Sequence, residues 1–204
     1  MGKVLIVSQT KMRSGICVGG IDVDKKKFVR LHTDHGANLS EEAPYAIGGL
    51  WEMTLESPWN PRKAPHTEDM MVKEASFVSD LPKTMLAEVI RQIGVPIING
   101  PLEETFDRCL KFTSNGKGYI NEQNVPSNSV TLWMTDNHII PVLEFGKTIF
   151  RYKDKKMPFV GFQDTQKINP GTLVRLSLAN WWKPEDAEVE SRCYLQLSGW
   201  YCIY

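Results

Sequence analysis

The stretch KVLIVSQTKMRSGICVGGIDVDKKKFVRL, residues 3–31, decides the fold. Its first apolar run, Val4, Leu5, Ile6 and Val7, gives way to a polar, basic link at 9–14. A second run, 16–23, ends in the tip Asp24-Lys25-Lys26-Lys27, and a third covers 28–31. Short runs rich in Val and Ile, separated by polar turn residues, read as strand, loop and hairpin. The arrangement sets Lys11, Arg13 and Arg30 near one another. Gly19-Gly20 falls mid-strand, where a sheet that curls into a small barrel needs a glycine or a bulge. A plain antiparallel sheet with a bulge satisfies the same pattern.

Working outward, Gly48-Gly49 introduces a strand at 50–56, in which Trp51, Met53 and Leu55 alternate with polar residues. A proline-rich loop, 57–65, holds Trp59. Another strand is expected at 70–78. Leu39 to Glu42 has the makings of a short helical turn capped by Ser40. Residues 82–93 give the clearest helix: Leu81, Met85, Leu86, Val89, Ile90 and Ile93 share one face, with Asp80 as N-cap and Gly94 as the stop. A second short helix is expected at 102–106. From 119 onward strands return, at 129–134, 139–145, 148–153, 159–163, 173–178 and 194–201. The pair 139–145 and 148–153, joined across Gly146-Lys147, is a hairpin signal. Strands at both ends, with no alternation of strand and helix, disfavour a doubly wound parallel sheet.

The fold class is therefore mainly β with minor α: two small Greek-key barrels packed together, with one amphipathic helix between. The boundaries read as a first barrel at 1–80, a helical connection at 81–118 and a second barrel at 119–204. The chain of 204 residues is long enough for this without staples. Its four cysteines, Cys17, Cys109, Cys193 and Cys202, form no C-x-x-C pair, so neither a zinc site nor a disulfide framework is expected. No apolar run approaches the roughly 18 residues of a membrane helix, and no signal-peptide pattern is present. A cytoplasmic protein with no membrane association and no cofactor is the expectation.

Twenty-four basic residues cancel 24 acidic ones. A protein that holds duplex DNA by phosphate neutralisation shows a basic excess, so any nucleic-acid role rests on local patches. Residues 1–30 carry a basic surplus of five and residues 147–156 a surplus of four. Lysine also serves simply to keep hairpin tips soluble.

The opening strand, the string Ser14-Gly15-Ile16-Cys17-Val18-Gly19-Gly20-Ile21-Asp22 and then Phe28-Val29-Arg30 resemble the start of the bacterial dual OB-containing domain proteins. Pro65-His66-Thr67-Glu68-Asp69 resembles that family's loop before the next strand, and Val174-Arg175-Leu176-Ser177-Leu178 with Tyr194-Leu195 its closing strands. Leu31 stands where members often carry proline, and the usual Gln-Pro of the histidine loop is absent. The resemblance implies two oligonucleotide-binding (OB) barrels and a nucleic-acid-binding role. Such barrels also bind sugars and proteins, so the fold does not by itself give the function.

Two clusters carry candidate chemistry. Nucleic-acid binding needs cations for phosphates and exposed aromatics for bases. Lys11, Arg13 and Arg30 supply the first; Trp59, with His66 at the rim, supplies the second. Trp51 and Trp133 sit in core patterns, whereas Trp181-Trp182 are expected to be exposed on at least one side. The other cluster, His66, Glu68 and Asp69, has the residue types for acid–base or metal chemistry, and equally for satisfying backbone groups in a loop. No nucleophile or metal-hydrolase motif accompanies it, and no metal is expected. The leading expectation is a non-enzymatic module for nucleic acid or nucleotides. The alternatives are a metal-assisted phosphodiester or nucleotide hydrolase built on His66, Glu68 and Asp69, and an adaptor that binds a protein partner.

Overall fold

The first three apolar runs form largely buried strands that join two later strands in a closed barrel. The computed structural model describes residues 1–12, 14–183 and 190–202. Its strands are β1 (Gly2–Lys11), β2 (Ile16–Asp22), β3 (Lys27–His32), β4 (Gly49–Glu56) and β5 (Asp69–Asp80), then α1 (Leu86–Ile93). They are followed by β6 (Ile97–Asn99), β7 (Lys111–Phe112), β8 (Gly118–Asn121), β9 (Val130–Met134) and β10 (Ile139–Glu144). The last are β11 (Lys147–Tyr152), β12 (Lys155–Pro158), β13 (Leu173–Leu178) and β14 (Arg192–Tyr201).

The chain divides into two compact units. One comprises Met1–Lys63, Thr67–Val95 and Tyr201–Tyr204, the other Ala64–His66 and Pro96–Trp200. In the first, five strands form a closed barrel in the order β1-β2-β3-β5-β4, with β4 returning to β1. All neighbours are antiparallel except β3 and β5, which run parallel. Val4, Ile6, Val18, Val29, Leu31, Trp51 and Met53 point inward and form the core. Leu39 and Tyr45, from the segment that joins β3 to β4, pack onto the same cluster. That segment is irregular: residues 41–42 form a turn, not the expected helical turn.

The barrel's curl has a specific origin. Ile6 pairs with Gly20 and Ser8 with Gly19, so Val7 is an extra residue in β1 opposite the glycine pair. A bulge bends and twists its strand and leaves a backbone group outside the ladder. The Val7 carbonyl accepts a hydrogen bond from the Tyr201 hydroxyl at 2.6 Å. Gly20 faces the interior, where an added Cβ would lie 2.6 Å from Val4 Cγ1.

α1 buries Leu86, Ala87 and Ile90, and Gly94 ends it in the left-handed conformation at φ 82°. The helix belongs to the first unit. Asp80 is not its N-cap, because β5 runs on through it and Asp80 pairs with Gly49. A 3₁₀ turn, Lys83–Met85, leads into the helix instead. Two further 3₁₀ turns, Leu102–Glu104 and Phe106–Arg108, stand where the second short helix is expected.

The second unit holds a six-stranded sheet, β6-β9-β13-β14-β8-β7, and a three-stranded sheet, β10-β11-β12. Trp133, Phe150, Tyr152, Leu173, Val174 and Leu197 are among its fully buried side chains. The β10–β11 hairpin turns at Phe145-Gly146, both at positive φ, one residue before the expected Gly146-Lys147. The strand expected at 159–163 is reduced to a bridge between Phe159 and Leu197, and β12 precedes it. Barrel in one unit and curved sheets in the other make the chain mainly β, in keeping with two OB-like units.

Candidate functional site

Strand register gathers several loops at one end of the first barrel. Lys11 lies opposite Ile16, Val18 opposite Leu31, Arg30 beside Asp69, and Glu56 opposite Met71. The β1–β2 link, the β4–β5 loop and the end of β3 therefore emerge together. In OB barrels, these two loops and the β2–β3 face are where oligonucleotides bind. Asn38 Nδ2 donates to the Ser14 carbonyl at 3.0 Å, and the Ile16 amide donates to the Leu39 carbonyl at 2.9 Å. These bonds fasten the β1–β2 link to the segment after β3.

Asp69 is the hub of this end. It is the first residue of β5 and only 6% exposed. Arg30 Nε meets Oδ1, His32 Nε2 lies 3.1 Å from the same oxygen, and Arg62 Nε lies 2.9 Å from Oδ2. Arg30 and His32 reach it because alternate residues of β3 project from the same outer face. The Arg30 amide also donates to the Glu68 carbonyl at 2.7 Å, extending the parallel pairing into the loop. Burial pushes the Asp69 carboxyl up, but the hydrogen bond with His32 and the Arg30 guanidinium more than offset this and hold it at about 2. Burial works against the Arg30 charge, yet Cys17, Asp69 and Glu68 together hold its pKa above the ordinary value. Arg30 Nη2 is buried without a hydrogen-bond partner among the described residues.

The sequence candidates separate into accessible and enclosed groups. Lys11 is exposed at the end of β1, and Trp59, in the β4–β5 loop, is 96% exposed. The Arg30 side chain is only 15% exposed and serves the Asp69 cluster. Arg13 lies outside the described residues. His66 is 2% exposed and groups with the second unit, its Nε2 3.7 Å from Cys193 Sγ. Its ring is thus enclosed and not presented at a surface rim. Glu68 is buried beside Asp69 in the chain. Asp22 accepts from the Lys25 amide and ammonium, both at 3.0 Å, at the opposite end of the barrel. No group of three or more His, Cys, Asp or Glu among the described residues has a metal-holding arrangement.

Arg62 escaped the sequence reading. Its signal was present: two cations, Arg62 and Lys63, stand within four residues of Trp59, so groups for phosphate and for base share one loop. The second basic stretch is largely neutralised in place. Lys153 lies 3.5 Å from Asp136, Lys155 2.9 Å from Asp154 and Lys156 2.9 Å from Glu144. Trp51 and Trp133 are buried, as their patterns imply, and Trp182 is exposed. No helix among the described residues is long and apolar enough to cross a membrane.

With this geometry in place, the family model described as the dual OB-containing domain matches residues 2–200. No curated protein matches the chain in sequence.

Proposed function

We propose a nucleic-acid-binding role for this chain, which belongs to the dual OB-containing domain family. The ligand is a single strand, held at the Asp69 end of the first barrel. The observation that carries the reading is the convergence there of the β1–β2 link and the β4–β5 loop, with Lys11 at the end of β1 and Trp59, Arg62 and Lys63 in the loop. Trp59 offers a solvated ring for stacking, worth about 1–3 kcal/mol per base. The lysines and Arg62 track phosphate. Arg30 works from behind, fixing Asp69 and through it Arg62.

The role is binding and not catalysis. With its pKa held at about 2, Asp69 is an ionised counter-ion to its cationic neighbours near neutral pH, so it is poorly suited to take up and release a proton there. The near-zero net charge is compatible with a single-strand binder whose affinity depends on stacking as well as on phosphate contacts.

Fluorescence anisotropy with labelled DNA and RNA single strands of about 12 nucleotides, within the span of an OB barrel, tests this. Binding is expected at about 50 mM salt and weaker binding at about 200 mM. Failure of both strands to bind at the lower salt overturns the proposal.

A further inference from the structure

The second unit carries an open cleft of about 290 Å³, lined by Lys117, Gly118, Pro158, Trp182, Tyr194 and Leu195. Its walls are aromatic and aliphatic, and its one charged lining residue is an exposed lysine. Trp182 is 55% exposed, so much of its indole faces solvent. Its ring centre is 6.2 Å from that of Tyr194, and Tyr194 is 6.2 Å from Tyr119. Arg192 closes this row with its guanidinium 4.0 Å above the Tyr119 ring. Local strand pairing holds the row in place: the Trp182 amide donates to the Arg192 carbonyl and the Arg192 amide to the Trp182 carbonyl, each at 2.9 Å.

Sequence explains why the cleft is open. Gly118 has no side chain, and a Cβ there would lie 2.8 Å from Leu195 Cδ2. Pro158, the last residue of β12, adds an apolar ring to the lining. The cleft thus combines in its lining two aromatic rings, aliphatic groups and one exposed cation. At the lower limit of small-molecule pockets, it takes one planar ring system and not two.

We propose that this cleft binds a single nucleobase carrying a phosphate. The base stacks on Trp182 and Tyr194, and Lys117 pairs with the phosphate. A free mononucleotide and one base of a strand present the same chemistry. The proposal shares no residue with the Trp59 end of the first barrel and stands whether or not that end binds.

The test uses the full chain labelled with ¹⁵N, in which each of the six tryptophans gives an indole N–H signal. Trp182→Phe assigns the relevant one. Adenosine, AMP and a short oligoadenylate are titrated separately. The Trp182 signal is expected to shift with AMP, with the oligoadenylate, or with both; AMP alone marks a nucleotide site and the oligoadenylate alone a strand site. Trp182→Ala is expected to weaken binding at least tenfold. Lys117→Ala is expected to weaken AMP several-fold and leave adenosine unchanged. The shift is expected to persist in Trp59→Ala, which separates this cleft from the first barrel. The proposal is overturned if no ligand moves the Trp182 signal at millimolar concentration, or if Trp182→Ala binds as tightly as the parent.

Discussion

Arg30 and Asp69 are register partners in the parallel pairing of β3 with β5, and their side chains meet on the barrel's outer face. One ion pair thus lies across the seam that sequence-distant strands must find. Removing either partner strands the other in an enclosed setting. Asp69→Asn keeps the size but leaves the Arg30 guanidinium without its counter-ion. A loss of about 2–4 kcal/mol is expected by urea denaturation, a little below the roughly 3–5 kcal/mol of a fully buried pair because Arg30 keeps some exposure. A loss under about 0.5 kcal/mol, the level of an ordinary surface substitution, would remove Asp69 from its role as hub.

The same carboxylate gives the fold an acid limit. Its folded pKa of about 2 lies below the ordinary 3.8, so the folded state binds its proton less readily than the unfolded chain does. The stabilisation is fully present above about pH 4 and disappears as pH falls from there towards 2. The contribution is about 1–2 kcal/mol after allowance for solvent screening. Denaturation curves at stepped pH check this: parent minus Asp69→Asn should shrink over that interval and stay constant from pH 5 to 7.

Much of the first barrel was legible because its determinants are local. Three short apolar runs separated by polar turn residues in 3–31 give three strands, and Gly19-Gly20 marks the place where the sheet must bend. The bulge itself falls on Val7, across the ladder, since the glycine pair permits the curl and the partner strand absorbs the extra residue. The parallel β3–β5 contact was not legible, because nothing in either strand alone encodes a partner about forty residues away. Arg62 was hidden for the same reason: a loop cation acquires meaning only when Asp69 is known to face it. In the second unit, β6 and β7 span three and two residues, too few for alternation to show. His66 reads as a surface residue from its polar neighbours, yet it is enclosed beside Cys193, which lies 127 positions away.

The glycine at the bend makes a separate prediction. Gly20→Ala places a methyl group 2.6 Å from Val4 Cγ1, 3.2 Å from the Leu5 carbonyl oxygen and 3.3 Å from Val29 Cγ2. Two of these neighbours are core side chains and the third is backbone, so relief requires the β1–β2 pairing to shift. Thermal and urea denaturation should show a loss of about 1–3 kcal/mol, the usual cost of overpacking. Val4→Ala in the same chain should recover part of it. No recovery would place the strain at the backbone contact instead.

Trp59 and Lys11 separate binding from folding. Both are exposed, and Trp59 appears in no ring contact among the described residues. Trp59→Ala should therefore change stability by no more than about 0.5 kcal/mol. Its effect on a bound strand should be large, about 1–3 kcal/mol, which is roughly five- to over a hundredfold in Kd. Because stacking is not ionic, the loss should be the same at low and high salt. Lys11→Ala should behave oppositely, with a smaller loss and a salt slope shallower by about one unit, since one phosphate contact has been removed. Anisotropy titrations of both variants over a salt series separate the two contributions. If Trp59→Ala binds as tightly as the parent while Lys11→Ala loses affinity at every salt concentration, the β4–β5 loop has no base-stacking role and the first barrel engages phosphate alone.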